Sequence, residues 1–138
     1  MEINFTDKVV LVTGGSRGIG AAVAEKFAEA GAVVIISFNN DKKSAKKVLS
    51  SLEGNGHNAV KCDISDPLLS AGMIERIVDE YGKIDILVNN AGIYEERSFQ
   101  GSDYDYWLET WNRTIALNLM GAANLAFLAG KYMVENGG

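Results

Sequence analysis

The sequence predicts an α/β fold: a doubly wound parallel sheet of about four strands, with helices on both faces in three layers. Three observations predict it. Short apolar runs without alternation, such as Val9-Val10-Leu11-Val12, suit strands buried on both faces. These runs take turns with segments whose apolar residues recur at helical spacing. A glycine-rich turn joins the first run to the first such segment.

The elements follow in order. Lys8 to Thr13 reads as the first strand. From Gly18 the period changes, with Ile19, Val23 and Phe27 on one helix face and Gly31 placed as a helix stop. Ala32 to Ser37 is the second strand, and Asn40 or Asp41 caps a helix carrying Ala45, Val48, Leu49 and Leu52, ended by Gly54. Asn58 to Cys62 is a weaker third strand. Ser65-Asp66-Pro67 opens a helix whose stripe is Met73, Ile74, Ile77, Val78 and Tyr81. After Gly82, Ile84 to Val88 gives a fourth strand, a loop runs from Ile93 to Gly101, and a long helical pattern extends toward Val134. Strands and helices alternating in this way require right-handed crossovers.

A chain of 138 residues, 47% hydrophobic and 22% charged, fits one domain over residues 1–138. The net charge of −5 gives no reason to expect nucleic acid or an anionic membrane as partner. Lys42, Lys43, Lys46 and Lys47 read as a solvated helix face. Cys62 is the only cysteine, so neither an internal disulfide framework nor a cysteine metal site can be drawn, and a cytoplasmic setting is expected. Met1 to Asp7 is unlike a secretory signal. Thr114 to Gly130 carries no charge and approaches the roughly 20 apolar residues of a membrane span. Asn118, Gly121, Asn124 and Gly130 interrupt it, so it reads as a buried helix. His57 has no partners for metal or triad chemistry and is expected in solvent. Trp107 and Trp111 are expected in the core or an interface.

The first turn carries the chemistry. A diphosphate is well held by backbone N–H groups at a helix N-terminus, where glycine permits close approach and the helix dipole favours negative charge. Thr13-Gly14-Gly15-Ser16-Arg17-Gly18-Ile19-Gly20 offers that arrangement directly after the first strand. Its spacing is Gly-x-x-x-Gly-x-Gly, and no Lys-Ser or Lys-Thr follows, so it is not a P-loop. Standing alone, such a cluster is equally an ordinary tight turn. With a strand before it and a helix after, it favours a dinucleotide on a Rossmann-type sheet, whereas a flavin or other nucleotide binder would use a different phosphate loop.

Three further groups match: Asp63, the run Asn89-Asn90-Ala91-Gly92, and Asn118 with Gly121. Together with the glycine turn they make the chain similar, along its whole length, to the short-chain dehydrogenase/reductase family. The resemblance implies that Gly14, Ser16, Arg17, Gly18, Ile19 and Gly20 surround the phosphates and adenosine ribose. It implies that Asp63 accepts the adenine amino group, with Ile64 offering a backbone N–H beside it. A cap for the following turn is the competing role for Asp63. Asn89 would tie adjacent strands, while Asn90, Ala91 and Gly92 would line the path toward the nicotinamide. Asn118 resembles the asparagine that bends the family's long helix and orders a proton-relay water, against the plainer reading of a buried, hydrogen-bonded Asn.

An acid at the end of the second strand would bind the ribose 2′-hydroxyl of NAD. Here that end reads Ser37-Phe38-Asn39-Asn40, without one. Arg17 can pair with a 2′-phosphate, and Ser37 and Asn39 can donate to it. NADP(H) is therefore expected, with NAD(H) as the alternative and Arg17 as a solvated turn residue the bland reading.

Hydride transfer to a carbonyl also needs a proton donor. The family supplies it with Tyr-x-x-x-Lys and an upstream Ser. None of Tyr81, Tyr94, Tyr104, Tyr106 and Tyr132 is followed by Lys at that spacing. With the run Asn136-Gly137-Gly138, this leads us to expect a fragment that stops before the catalytic acid, leaving the fourth strand an open edge and the Thr114 to Gly130 flank uncovered. The expected activity is hydride transfer between NADP(H) and a small carbonyl or alcohol substrate, in a homodimer or homotetramer as the resemblance implies. A dinucleotide-binding sensor without catalysis is the alternative.

Overall fold

A computed structural model gives the fold and describes residues 3–137. The readings placed on Met1, Glu2 and Gly138 lie outside them. Strands β1 (Val9–Val12), β2 (Val33–Phe38), β3 (Asn58–Lys61) and β4 (Ile86–Val88) form one parallel sheet in the order β3-β2-β1-β4. Helices α1 (Gly18–Glu29), α2 (Lys42–Ser51), α3 (Pro67–Tyr81), α4 (Tyr104–Ile115) and α5 (Ala122–Glu135) follow, with a π-helical segment, Ala116–Gly121, joining the last two.

The unbroken apolar strands are explained by two cores, one on each face. Val9, Leu11 and Ile35 pack with Met73, Ile74 and Ile77 of α3 and Leu125 and Ala129 of α5. Their chain neighbours Val10, Val12, Val34 and Ile36 face the other way, against Ala24 and Ala28 of α1 and Ala45 of α2. Successive strand residues point to opposite faces, so a central strand covered on both must be apolar at every position. Each fully buried Leu or Ile contributes about 1.5–3 kcal/mol by leaving water.

Helix ends obey the residues placed there. Asp41 accepts from Ser44 N at 2.9 Å, Asp66 from Leu68 N at 2.8 Å, and Asp103 from Tyr106 N at 2.8 Å, each satisfying an N–H that its helix cannot. Gly82 ends α3 in the left-handed region at φ 77°. The Tyr132 hydroxyl donates to the Gly82 carbonyl at 2.9 Å and fastens α5 to that corner.

Several expectations are corrected. The helical pattern toward Val134 is not one α-helix, because the Ala116–Gly121 segment interrupts it. The fourth strand begins at Ile86, since the Asp85 carboxylate takes the Val9 N–H at 2.7 Å in place of a regular partner, while Ile84 is buried beside it. The Thr114 to Gly130 stretch buries Gly121, Leu125 and Ala129 but leaves Ile115, Leu119, Met120 and Phe127 exposed. Trp107 and Trp111 pack against each other in a tilted pair, ring centroids 5.7 Å apart, and are exposed, so they do not belong to the core. Among the described residues no helix is long and apolar enough to cross a membrane.

His57 is half-buried and engaged instead of free in solvent. Its Nδ1 accepts from Val34 N at 3.0 Å, and its Nε2 donates to the Glu53 carbonyl at 2.7 Å. Pairing of β2 with β3 begins one residue later, at Ile35 opposite Asn58, so the ring fills a missing rung. Val34 is fully buried, and an N–H left unpaired there costs about 1–3 kcal/mol. His57→Ala is expected to lower the unfolding free energy by about that amount, read as a lower urea midpoint with a native circular dichroism spectrum; an unchanged midpoint would contradict the rung.

Asp85 adds a pH-dependent contribution. Burial alone would raise its carboxyl, but the Val9 amide, then Lys83 at 3.2 Å and Lys8 at 3.7 Å, outweigh that and hold it below the usual carboxylate range. A carboxylate depressed on folding stabilises fully above its unfolded value of about 4 and loses the contribution as pH falls through the folded value. Denaturation of wild type and Asp85→Asn at a series of pH values should show wild type the more stable at pH 7 and the gap closing in acid. A gap that persists in acid would rule out the charge as its source.

Candidate cofactor site

The strand order reverses direction between β1 and β4, and there a cleft of about 490 Å³ opens at the carboxyl ends of the strands. Ligand pockets run from about 300 to 1,000 Å³, and open α/β sheets place them at this crevice. Its walls are the turns after all four strands.

The turn after β1 is locked to the turn after β4 by one hydroxyl. Thr13 Oγ1 accepts from Asn90 N at 3.0 Å and Ala91 N at 3.0 Å, and Thr13 is wholly buried. Asn90 Nδ2 returns the contact, donating to Thr13 O at 2.9 Å and Gly14 O at 3.1 Å. The strand-tying role expected of Asn89 thus belongs to Asn90. Asn89 Nδ2 donates to Ala122 O at 3.0 Å and ties β4 to α5.

Glycine is required where these turns touch. Gly14 sits at φ +64°, and a Cβ there would lie 2.9 Å from Ala91 Cα. A Cβ on Gly20 would collide with the Gly14 carbonyl and Asn90 Nδ2. Gly18 faces open space on the cleft wall.

The start of α1 differs from the other helix starts. Its N-cap is Arg17, which makes no side-chain capping bond, whereas α2, α3 and α4 each start on a bonded Asp. The first α1 bond at this end runs from Ala21 N to Arg17 O at 3.3 Å. The N–H groups of Gly18, Ile19 and Gly20 therefore precede the ladder and lie on the cleft wall, at the positive end of the helix dipole. A diphosphate is the chemical complement of that cradle.

The remaining expected residues divide. Gly14, Ser16, Arg17, Gly18, Ile19, Gly20, Ser37, Asn39, Ile64, Asn90, Ala91 and Gly92 all line the cleft. Ser37 is only 1% exposed and holds the turn by accepting Gly15 N at 3.1 Å on its carbonyl, so Asn39 is the more reachable donor. Asp63 and Asn118 are not among the lining residues: Asp63 is half-buried, and Asn118 is exposed and so is not the buried Asn of the plainer reading. Asp63 Oδ1 accepts from Ser65 N at 3.0 Å and Ser65 Oγ at 2.6 Å, which is the turn-capping geometry. Asn118 holds Ile93 at two points, Oδ1 accepting from its N–H and Nδ2 donating to its carbonyl, both at 2.8 Å.

Sequence reasoning missed Thr13, Asp41 and Leu117. Thr13 reads as the last residue of a strand, and only its placement against Asn90-Ala91 reveals the lock. Asp41 is an acid lining the cleft one residue beyond the run taken as acid-free. The Ser44 hydroxyl and then the Ser44 amide hold its carboxyl below the usual range, so it is ionised as the α2 cap. Cys62 also lines the wall; burial first, then the charge of Asp63, pushes its thiol up and leaves it protonated.

The lock is testable. Thr13→Val keeps the shape but removes the acceptor of two amides, each worth about 1–3 kcal/mol when left unpaired. A lower melting temperature and affinity for a nicotinamide dinucleotide weakened about tenfold by calorimetry are expected. Thr13→Ser should restore both, and a Ser variant as weak as Val would refute the hydroxyl's role.

Comparison with known proteins supplies the family. Residues 8–138 match the family model described as short chain dehydrogenase. A 3alpha-hydroxysteroid dehydrogenase of Mediterraneibacter gnavus is 38% identical, over 100% of this chain and 55% of that protein. A short chain dehydrogenase from Burkholderia cenocepacia, solved in complex with NADP, superposes with TM-score 0.81 at 33% identity, covering 92% of this chain and 51% of that one. An NAD+-bound xylitol dehydrogenase superposes at 0.85 with 28% identity, covering 96% and 50%. The chain spans about half the length of these relatives. It belongs to the short-chain dehydrogenase family, and the parallel sheet with its cleft is that family's cofactor-binding fold.

Proposed function

We propose that this chain is the cofactor half of an NADP(H)-dependent oxidoreductase that interconverts a carbonyl and an alcohol by hydride transfer. The observation that carries the reading is the α1 start: a helix N-terminus without a capping side chain, aimed into a cleft between glycine-lined turns. The diphosphate would lie on the Gly18, Ile19 and Gly20 amides. Bound there, the nicotinamide supplies or accepts the hydride. The serine and the Tyr-x-x-x-Lys pair that move the proton in this family would come from sequence outside these 138 residues.

The preference for NADP(H) rests on charge. Arg17 and Asn39 are exposed and line the cleft together, and the acid that lines it with them, Asp41, is engaged by Ser44. Lys42 and Lys43 beside Asp41 are exposed and offset its charge. A planar guanidinium recognises a phosphate through paired hydrogen bonds. Asp63 would offer the adenine its remaining oxygen. The water-ordering role that the family implies for Asn118 would use the second lone pair of Oδ1 or the second N–H of Nδ2, since each atom spends only one bond on Ile93. Assembly into homodimers or homotetramers through the exposed apolar face of α4, the π-helical segment and α5, in the cytoplasm, completes the reading.

Titration of Arg17→Ala with both cofactors separates phosphate recognition from general binding. NADPH affinity is expected to fall about tenfold or more, close to 1.4 kcal/mol, with NADH affinity within about twofold of wild type. Equal losses for the two cofactors would refute the assignment of Arg17 to the 2′-phosphate. Absence of binding by either cofactor to wild type would refute the oxidoreductase reading.

A further inference from the structure

The segment after β4 has no strand partner, yet it is held at three levels. Asn118 pins Ile93 by both its amide and its carbonyl, and two residues on the Glu95 carboxylate takes Arg97 Nη2 at 2.7 Å on one oxygen and Arg113 on the other. Arg97 also donates from Nε to Thr110 Oγ1 at 3.2 Å and lies 4.1 Å from the Tyr106 ring centroid. Thr110 is buried, so the guanidinium reaches into α4 and does not merely lie on it. Exposure alternates along the stretch: Ile93, Glu95 and Arg97 are half-buried, while Gly92, Tyr94, Glu96 and Ser98 are exposed.

We propose that Glu95, Arg97 and Arg113 form a positioning network that fixes the substrate-side mouth of the cleft. The proposal rests on the oxidoreductase reading above. Gly92 and Ile93 line the cleft, and beyond Ile93 the chain is tethered to α4 through these charges and the Thr110 and Tyr106 contacts of Arg97. Ion pairs that are about one quarter to one half exposed add little to global stability. Acting on a segment without a ladder, the same pairs govern local opening. Their loss therefore moves the mouth without unfolding the sheet, and the cofactor cradle, built from the other side of the cleft, stays as it is.

Glu95→Gln in the whole protein tests this, with NADPH and 4-nitrobenzaldehyde as probes. Hydrogen exchange over Ile93–Ser98 should quicken about tenfold with an unchanged melting temperature. The KM for the aldehyde should rise about tenfold, with kcat and the NADPH Kd within about twofold of wild type. Potassium chloride at about 1 M should raise the wild-type KM toward that of the variant and leave the variant's where it is. Arg113→Lys, which keeps the cation, should recover most of the wild-type KM, and Arg113→Met should not. Unchanged exchange over Ile93–Ser98, or a KM and an NADPH Kd that rise together, would overturn the proposal. A wild type that neither binds NADPH nor reduces the aldehyde counts against the oxidoreductase reading, and the exchange measurement then still decides whether the network holds the mouth.

Discussion

The junction between the ends of β1 and β4 is the constraint on which the site depends. At that point the helix following β1 passes to one face of the sheet and the helices following β4 to the other, so the two turns diverge and leave a crevice. A crevice alone has no defined width. Its width is set by a hydroxyl with no access to water, because Thr13 cannot turn away from the Asn90 and Ala91 amides without leaving three polar groups unpaired. Gly14 and Gly20 then let the turn lie against the wall with no intervening carbon.

Electrostatics distinguishes this helix start from the others. Three helices begin with an ionised or hydrogen-bonded Asp whose charge offsets the dipole and whose oxygens satisfy the first N–H groups. α1 begins with a cation at the cap position, extended backbone and no side-chain acceptor. Within the folded chain that end is the less stable choice, since it leaves donors to water and adds positive charge to the positive pole. Such local inconsistency is what a site for an anion looks like before the anion arrives.

What was legible in the sequence divides along physical lines. Periods of apolar residues, caps and glycine stops are local, and they located the four strands and the first three helices to within a few residues, with Asp66-Pro67 and Gly82 bounding α3 as expected, but they did not divide the pattern toward Val134. The glycine turn and the Asn89 to Gly92 run were legible as motifs, but the division of labour inside them was not. Which asparagine ties the strands depends on side-chain direction at the end of a three-residue strand, and one residue of offset moved the role from Asn89 to Asn90. His57 failed for a related reason: a polar neighbourhood in sequence says nothing about a buried N–H twenty-three positions away that lacks a partner. The ion network of Glu95, Arg97 and Arg113 joins a loop to a helix with no periodic signal, so nothing in the pattern announced it.

The interruption in the long helix follows from where its two halves must dock. α5 is drawn to the sheet by Leu125 and Ala129, and it approaches the exit of β3 so closely that a Cβ on Gly121 would lie 2.7 Å from the Ile64 carbonyl. α4, upstream, takes its orientation from Thr110, Arg97 and Glu95 on the β4 side. One residue of α-helix turns the side-chain direction by about 100°, so two faces fixed independently seldom fall in phase. A π-helical turn absorbs the difference by admitting an extra residue, and such turns recur at functional sites. Asn118 lies in that turn, three residues before Gly121, and its aim at Ile93 depends on the phase the turn creates. The helix thereby fixes the exits of β3 and β4 relative to one another, and a straight α-helix through the same residues would satisfy one exit and lose the other.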